Sequence, residues 1–255
     1  MKNSMKKWML ILSTTAFIPG LTTGGIYLEV YPETVVEAQD LSPKDQAQKI
    51  VDALSESYPD DTLPTYVLRE DDKLYFTAAT TGQEDQENFN ILYYAEDEPI
   101  ELNATALNEL TPIAAFGKTT YETEGEAAEA VEQILDLQGQ EVDLGYGITG
   151  FMQGAAGSTY LNWQEGNWSL VVKASNIEEE DPVPLAVEVV EYLEEIYLPA
   201  PTQVGQITLS MPDENSTYET NSVVWHEDNV VYTVTHQDAM QAIRMAGSIS
   251  SPTEQ

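Results

Sequence analysis

Trp163-Gln164-Glu165-Gly166-Asn167-Trp168-Ser169-Leu170-Val171-Val172 is the stretch on which the fold turns. Aromatic and β-branched residues flank a Glu-Gly-Asn centre, and Gly and Asn tolerate turn conformations that other residues resist. The stretch reads as a strand, a four-residue turn and a second strand. The pattern returns 62 residues later, in Trp225-His226-Glu227-Asp228-Asn229-Val230-Val231-Tyr232-Thr233-Val234. A third version is Leu68-Arg69-Glu70-Asp71-Asp72-Lys73-Leu74-Tyr75-Phe76-Thr77. Two explanations stand: convergent hairpin chemistry, or duplication of a ββα unit. Both give an α+β domain, an antiparallel β-sheet built of hairpins with about four helices packed on one side of it.

Four segments carry the helical period. Ser42-Pro43 supplies an N-cap and a first-turn proline, after which Ala47, Ile50, Val51, Leu54 and Tyr58 share a face. Thr123-x-x-Glu126 is a capping box leading Ala127, Ala130, Val131 and Ile134 inward, with Gly139 as the stop. Leu185, Val189, Leu193 and Ile196 form a stripe between Pro184 and Pro199. Asp238 caps a segment with Ala239, Ala242, Ile243, Ala246 and Ile249 facing the core. Nine strands are expected: 65–68, 74–79, 91–94, 112–116, 160–163, 168–174, 206–210, 222–225 and 230–235.

The 255 residues divide into a short leader and a long acidic body. Residues 1–38 balance three Lys against three Glu, and an uncharged run from Trp8 to Leu28 follows the basic start. This is the pattern of a signal peptide, with Val36-Glu37-Ala38 as the peptidase site before Gln39, or of an N-terminal membrane anchor left uncleaved. Either places residues 39–255 outside the cytoplasm, extracellular or on the cell surface, with contact to a membrane only through the uncleaved segment. An acidic, proline-bearing break at 176–184 and a proline-bearing one at 198–201 allow one continuous body or two sub-lobes, 39–176 and 177–255.

Of 44 acidic and 10 basic residues, 41 and 7 belong to residues 39–255, and the net charge is -34. Phosphate backbones bind through Lys and Arg, so nucleic acid is excluded as an electrostatic partner. An acidic coat on a chain that is 42% hydrophobic reads as adaptation to saline or alkaline surroundings rather than as disorder. With no cysteine, disulfides, thiolate metal sites, Cys nucleophiles and Cys-linked lipid anchors are all ruled out.

The tract Trp163–Trp168, Val189-Val190-Glu191-Tyr192-Leu193, Leu198-Pro199-Ala200-Pro201, Trp225, Val231-Tyr232 and Met245-Ala246-Gly247-Ser248 resembles secreted or lipoprotein-type domains of unknown function from Gram-positive bacteria. The resemblance covers about residues 158–250. It implies a cell-envelope α+β domain without a known active site; the missing lipid-anchor cysteine is a departure from that pattern.

Catalytic signatures are wanting. Gly145-Tyr146-Gly147-Ile148-Thr149-Gly150 matches GxGxxG but opens no capped helix, so it reads as a glycine-rich loop or bulged strand rather than a dinucleotide site. His226 and His236, the only histidines, have no partner at metal-ligand spacing, and no serine sits in GxSxG. The acidic runs 59–61, 70–72, 84–87 and 178–181 lack the alternating ligands of a calcium loop. Neither catalytic nor metal residues are assigned, and no cofactor. The aromatics point to ligand binding instead: Tyr146, Tyr160 and Trp168 are the candidate contacts, on a surface able to take a small molecule, carbohydrate, lipid or envelope protein. The expected function is that of an exported, non-catalytic envelope protein with a binding or structural role. An extracellular carboxylate-based hydrolase and a lipid carrier are the alternatives.

Overall fold

The first helix forms where a cap and a fixed φ meet. In α1 (Pro43–Ser57) the Ser42 hydroxyl accepts from the Asp45 backbone N–H at 3.2 Å, and Pro43 occupies the first turn, where its missing N–H is not needed. Ile50 and Leu54 point inward from it and are buried. The structure, a computed structural model, describes residues 42–66, 74–82, 87–155 and 157–250, and Asp40–Gln255 cluster as one compact unit. The leader, the boundary before Gln39 and the turn at Glu70-Asp71-Asp72 lie outside the described residues.

Ten strands make one sheet: β1 (Tyr75–Gly82), β2 (Phe89–Glu96), β3 (Ala114–Thr120), β4 (Gln140–Asp143), β5 (Thr149–Ala155), β6 (Ser158–Glu165), β7 (Trp168–Ser175), β8 (Gly205–Ser210), β9 (Asn221–Glu227) and β10 (Val230–His236). Their order is β1-β2-β3-β10-β9-β8-β7-β6-β5-β4. Every neighbouring pair is antiparallel except β7 and β8. Parallel strands need a long crossover, and here α3 (Val183–Leu193) supplies it. The α+β class expected from the sequence is the one observed.

Side chains alternate between the two faces of a strand. One face carries Phe76, Ile91, Phe116, Val234, Val223, Ile207, Leu170 and Trp163. It is covered by α1, α3 and α4 (Ala239–Ser250), whose Ile50, Leu54, Val189, Val190, Ala242, Ile243 and Ala246 join it in a single core. A chain of rings crosses this face from strand to strand: Trp168–Trp225 at 6.3 Å, Trp225–Tyr232 at 5.3 Å, Tyr232–Phe116 at 6.3 Å, Phe116–Phe89 at 6.0 Å, and Phe89 to Tyr58 of the segment after α1 at 4.3 Å.

Two expectations need correction here. The helices do not all lie on one side. α2 (Glu124–Ala130) contacts β9 and β10, and the chain after it bonds to Ser169 and Gln206, which alternate with the core residues Leu170 and Ile207 and so face the opposite way. Nor does α2 run to Gly139. Its capping box forms as expected, with Thr123 and Glu126 bonded reciprocally, but Glu132 takes φ 54° and the helix is over. The Gln133 amide then donates to Ser169 at 2.7 Å, and the Ile134 N–H to Gln206 at 2.7 Å. Buried polar groups on the sheet demand partners, and this unwound strap meets them. Ile134, expected inside, is 50% exposed.

Two strands were not anticipated. β4 and β5 flank the glycine-rich stretch, which is their connecting turn: Ile148 N–H donates to Gly145 C=O at 2.8 Å, and Gly145, Tyr146 and Gly147 all have positive φ. Conversely, Thr65 and Tyr66 are not in a strand, and 67–68 fall outside the described residues.

Candidate ligand groove at the turn end of the sheet

The β6–β7 and β9–β10 connections are two-residue turns rather than the four-residue ones expected, since Glu165 pairs with Trp168 and Glu227 with Val230. Each opens with a left-handed residue, Gly166 at φ 56° and Asp228 at φ 50°. Trp163 and Trp225, two residues before the end of their strands, point into the core and are 0% and 1% exposed. Each directs its indole N–H to the glutamate two residues on, Trp163 to Glu165 at 2.8 Å and Trp225 to Glu227 at 3.0 Å. Two carboxylates are thereby fixed at the same edge.

The wall beside them is the strap Leu198-Pro199-Ala200-Pro201, held extended by its prolines and pinned by both turns. Asn167 donates to Pro201 C=O at 3.1 Å, Thr202 N–H to His226 C=O at 2.9 Å, and Asp228 N–H to the Thr202 hydroxyl at 2.9 Å. His226 Nε2 accepts from Gln203 N–H at 3.2 Å, so the proton sits on Nδ1, which donates to Asp228 C=O at 3.0 Å. The buried histidine thereby clasps the strap to the end of β9.

On one side of the strap lies a cavity of about 670 Å³ reached by Asp60, Asp61, Trp225, Glu227, Tyr232 and Ile249. On the other lies one of about 420 Å³ reached by Glu165, Trp168, Leu193, Ile196 and Tyr197. Leu198, Pro199 and Ala200 line both. Tyr197 stands on the rim at 87% exposure. The floor is aromatic, and the charge around it is negative. Burial raises the Glu165 carboxyl above its ordinary range, the Trp163 indole opposes this, and Glu194 adds to it. Burial, then Glu227, then Asp61 push the Tyr232 phenol up to about 12. Asp61 is itself paired with Lys118, whose ammonium also lies 5.8 Å from the centre of the Phe89 ring.

The three aromatic candidates do not converge. Trp168 is in the groove, with its ring packed over Gly205 and only 8% exposed. Tyr160 lies on the opposite face of the sheet, opposite Gln153 and Lys173. Tyr146 is in the β4–β5 turn and is 67% exposed. The residues that sequence reasoning passed over are Tyr197, Tyr232, Glu165 and Glu227. The recurring Trp-x-Glu at 163–165 and 225–227 was the available signal. Among the described residues no group of three or more His, Asp or Glu side chains is arranged to hold a metal ion.

No family model, curated protein or solved structure matches this chain.

Proposed function

We propose that this is an exported, non-catalytic binding protein of the cell envelope, and that the groove beside the Leu198–Pro201 strap is its binding site. The observation that carries the reading is the pair of indole-anchored carboxylates, Glu165 and Glu227, one in each of the two cavities that flank the strap and each beside an aromatic ring. Fixed acids beside apolar rings suit a ligand with an ammonium or guanidinium group on an apolar body, such as a basic peptide segment. Export is supported by the basic, then uncharged, leader, and the envelope setting by the resemblance of residues 158–250 to secreted domains. The acidic coat supports life in saline or alkaline surroundings.

The same geometry supports the duplication of a ββα unit. Besides the Trp–Glu pairs and the left-handed turn residues, Asn167 and Asn229 match in both their bonds. Each donates its side-chain amide to a neighbouring carbonyl, of Pro201 and Tyr121, and each backbone carbonyl accepts from the adjoining chain, from Gly205 and Tyr121 N–H. Convergent turn chemistry accounts for a positive φ; four coincident bonds favour a common origin. The copies are β6-β7-α3 and β9-β10-α4, each a hairpin followed by a helix.

The test uses the full chain and a short Lys/Leu peptide, with a Glu/Leu peptide of equal length as control, at molar NaCl to suppress indiscriminate attraction. Binding at the groove should change the fluorescence of Trp168 and Trp225 with the basic peptide alone, and Tyr197→Ser should weaken it. Equal responses to both peptides, or none, would sink the groove assignment. Separately, N-terminal sequencing of secreted material should begin at or beside Gln39; an intact Met1 in membrane fractions would favour the anchor.

A further inference from the structure

At the opposite end of the sheet lies a second cavity, of about 310 Å³, where β7 and β8 finish side by side. They are the parallel pair, and beyond their carboxyl ends the chain departs two ways: from β7 toward α3, from β8 into the loop 211–220 that returns to β9. The crevice lies between these departing segments, lined by Glu178 and Glu180 of the first and by Met211, Asp213 and Asn215 of the second.

The lining is polar and mixed in charge. Lys173 sits directly across from Ser210 on β8, and Ser158 across from Ser175 on the next pair. Residues 158, 173, 175 and 210 fall on the same face by alternation, so one ammonium stands among three hydroxyls. Lys173 makes no ion pair among the described residues, in a body where acids outnumber bases 41 to 7. Around it, carboxylates are held by backbone. Ser175 N–H donates to Glu180 at 2.6 Å and Asn215 N–H to Asp213 at 2.7 Å, while Glu178 N–H donates to the Ser175 hydroxyl at 3.3 Å. These bonds brace the backbone of the walls before any ligand arrives, which lowers the ordering cost of binding, while the Lys173 and Glu178 side chains stand exposed.

We infer that this crevice binds a small zwitterion of the amino-acid class, its carboxylate on Lys173 and the serine hydroxyls, its ammonium on Glu178 and Asp213. A simple anion meets the repulsion of a chain with net charge -34, and a simple cation leaves Lys173 unanswered. A molecule carrying both charges on neighbouring atoms satisfies both sides, and the volume accommodates one amino acid with its side chain. This site is independent of the turn-end groove, and neither stands or falls with the other.

Isothermal titration of the full chain with a panel of L-amino acids, with acetate and propylamine as single-charge controls, tests it. At least one amino acid should bind, with acetate and propylamine weaker by about tenfold or more, the worth of a hydrogen bond to a charged group. Lys173→Met and the pair Glu178→Gln with Asp213→Asn should each weaken binding by about tenfold or more on the same grounds. Unchanged thermal melts would show that both variants remain folded, and each should leave the response to the Lys/Leu peptide intact. Absence of binding by every amino acid at millimolar concentration, binding by acetate alone, or full retention of binding in Lys173→Met overturns the proposal.

Discussion

The indole N–H of Trp163 donates to the carboxylate of Glu165 at 2.8 Å, from a ring that is wholly buried to an acid at the rim of the groove. The bond joins two parts of the turn end, since one partner fills the core and the other lines the groove. Trp225 and Glu227 repeat it at 3.0 Å. Truncation of either ring to alanine should destabilise the protein by about 3–5 kcal/mol, the range for removing a packed aromatic side chain. Denaturant melts of Trp163→Ala and Trp225→Ala check this, and values within about 0.5 kcal/mol of the parent would place the rings at the surface.

Trp163→Phe keeps an aromatic ring, smaller than the indole, and removes the donor. Burial already raises the Glu165 carboxyl, and the indole bond opposes it. Without that bond the carboxyl rises further. A group whose folded pKa lies above its unfolded value stabilises the fold below the unfolded pKa and loses that contribution as pH rises through the folded one. The penalty of Trp163→Phe should therefore be full at neutral pH and shrink in acid. Paired thermal melts across the carboxylate range measure it; a pH-independent penalty would show that Glu165 does not feel the indole.

Gly205 stands between two tryptophans, paired with Trp168 on β7 and with Trp225 on β9. A Cβ there would come within 2.5 Å of the Trp168 ring. Gly205→Ala should cost about 1–3 kcal/mol by overpacking and displace Trp168 in the groove. Loss of stability together with a shift in tryptophan emission is the expected result.

How far the sequence reached follows from where each signal was local. Strands such as β7 and β10 announce themselves by β-branched runs, and α1 and α4 by a cap followed by an apolar stripe. The end of α2 did not, because what unwinds it is a bond from Ile134 N–H to Gln206, a residue 72 positions away. β4 escaped for a related reason: a four-residue edge strand, largely exposed, has no apolar alternation to read. Trp168 was legible as an aromatic beside the turn because that signal is in its own side chain, and it lines the candidate groove. Tyr232 and Tyr197 were not, because only folding sets β10 and the residue before the strap at the rims of these cavities. Tyr160 shows the converse, an aromatic whose position on its strand sends it to the other face.

Salt should stabilise the folded chain. Residues 39–255 carry 41 acids against 7 bases. Among the described residues Lys49–Glu101 and Lys118–Asp61 are the ion pairs, too few to offset the repulsion. Screening over about 10 Å at 0.1 M ionic strength, and less at higher salt, relieves it. The melting temperature should climb from low salt to molar NaCl; a flat or falling curve would remove the case for saline adaptation.

Tyr232 should set part of the alkaline limit. Its ring is stacked between Trp225 at 5.3 Å and Phe116 at 6.3 Å. Burial, with Glu227 and Asp61 nearby, pushes its phenol from 10.0 up to about 12. The neutral form is thus favoured in the folded state. Its contribution is complete below pH 10, where the unfolded phenol is still protonated, and declines as pH rises toward 12 and the folded phenol titrates. Tyr93, Tyr94, Tyr192 and Tyr218, each raised first by burial, act in the same direction, so the decline is shared among them. Tyr232→Phe keeps the stack and removes the hydroxyl. It should make the fall in stability above pH 10 shallower while leaving neutral stability nearly unchanged. In an absorbance titration of tyrosinate, the parent should show a phenol ionising near pH 12 that Tyr232→Phe lacks. If the two titrations coincide, Tyr232 is not held in its neutral form and the carboxylates of Asp61 and Glu227 do not converge on it.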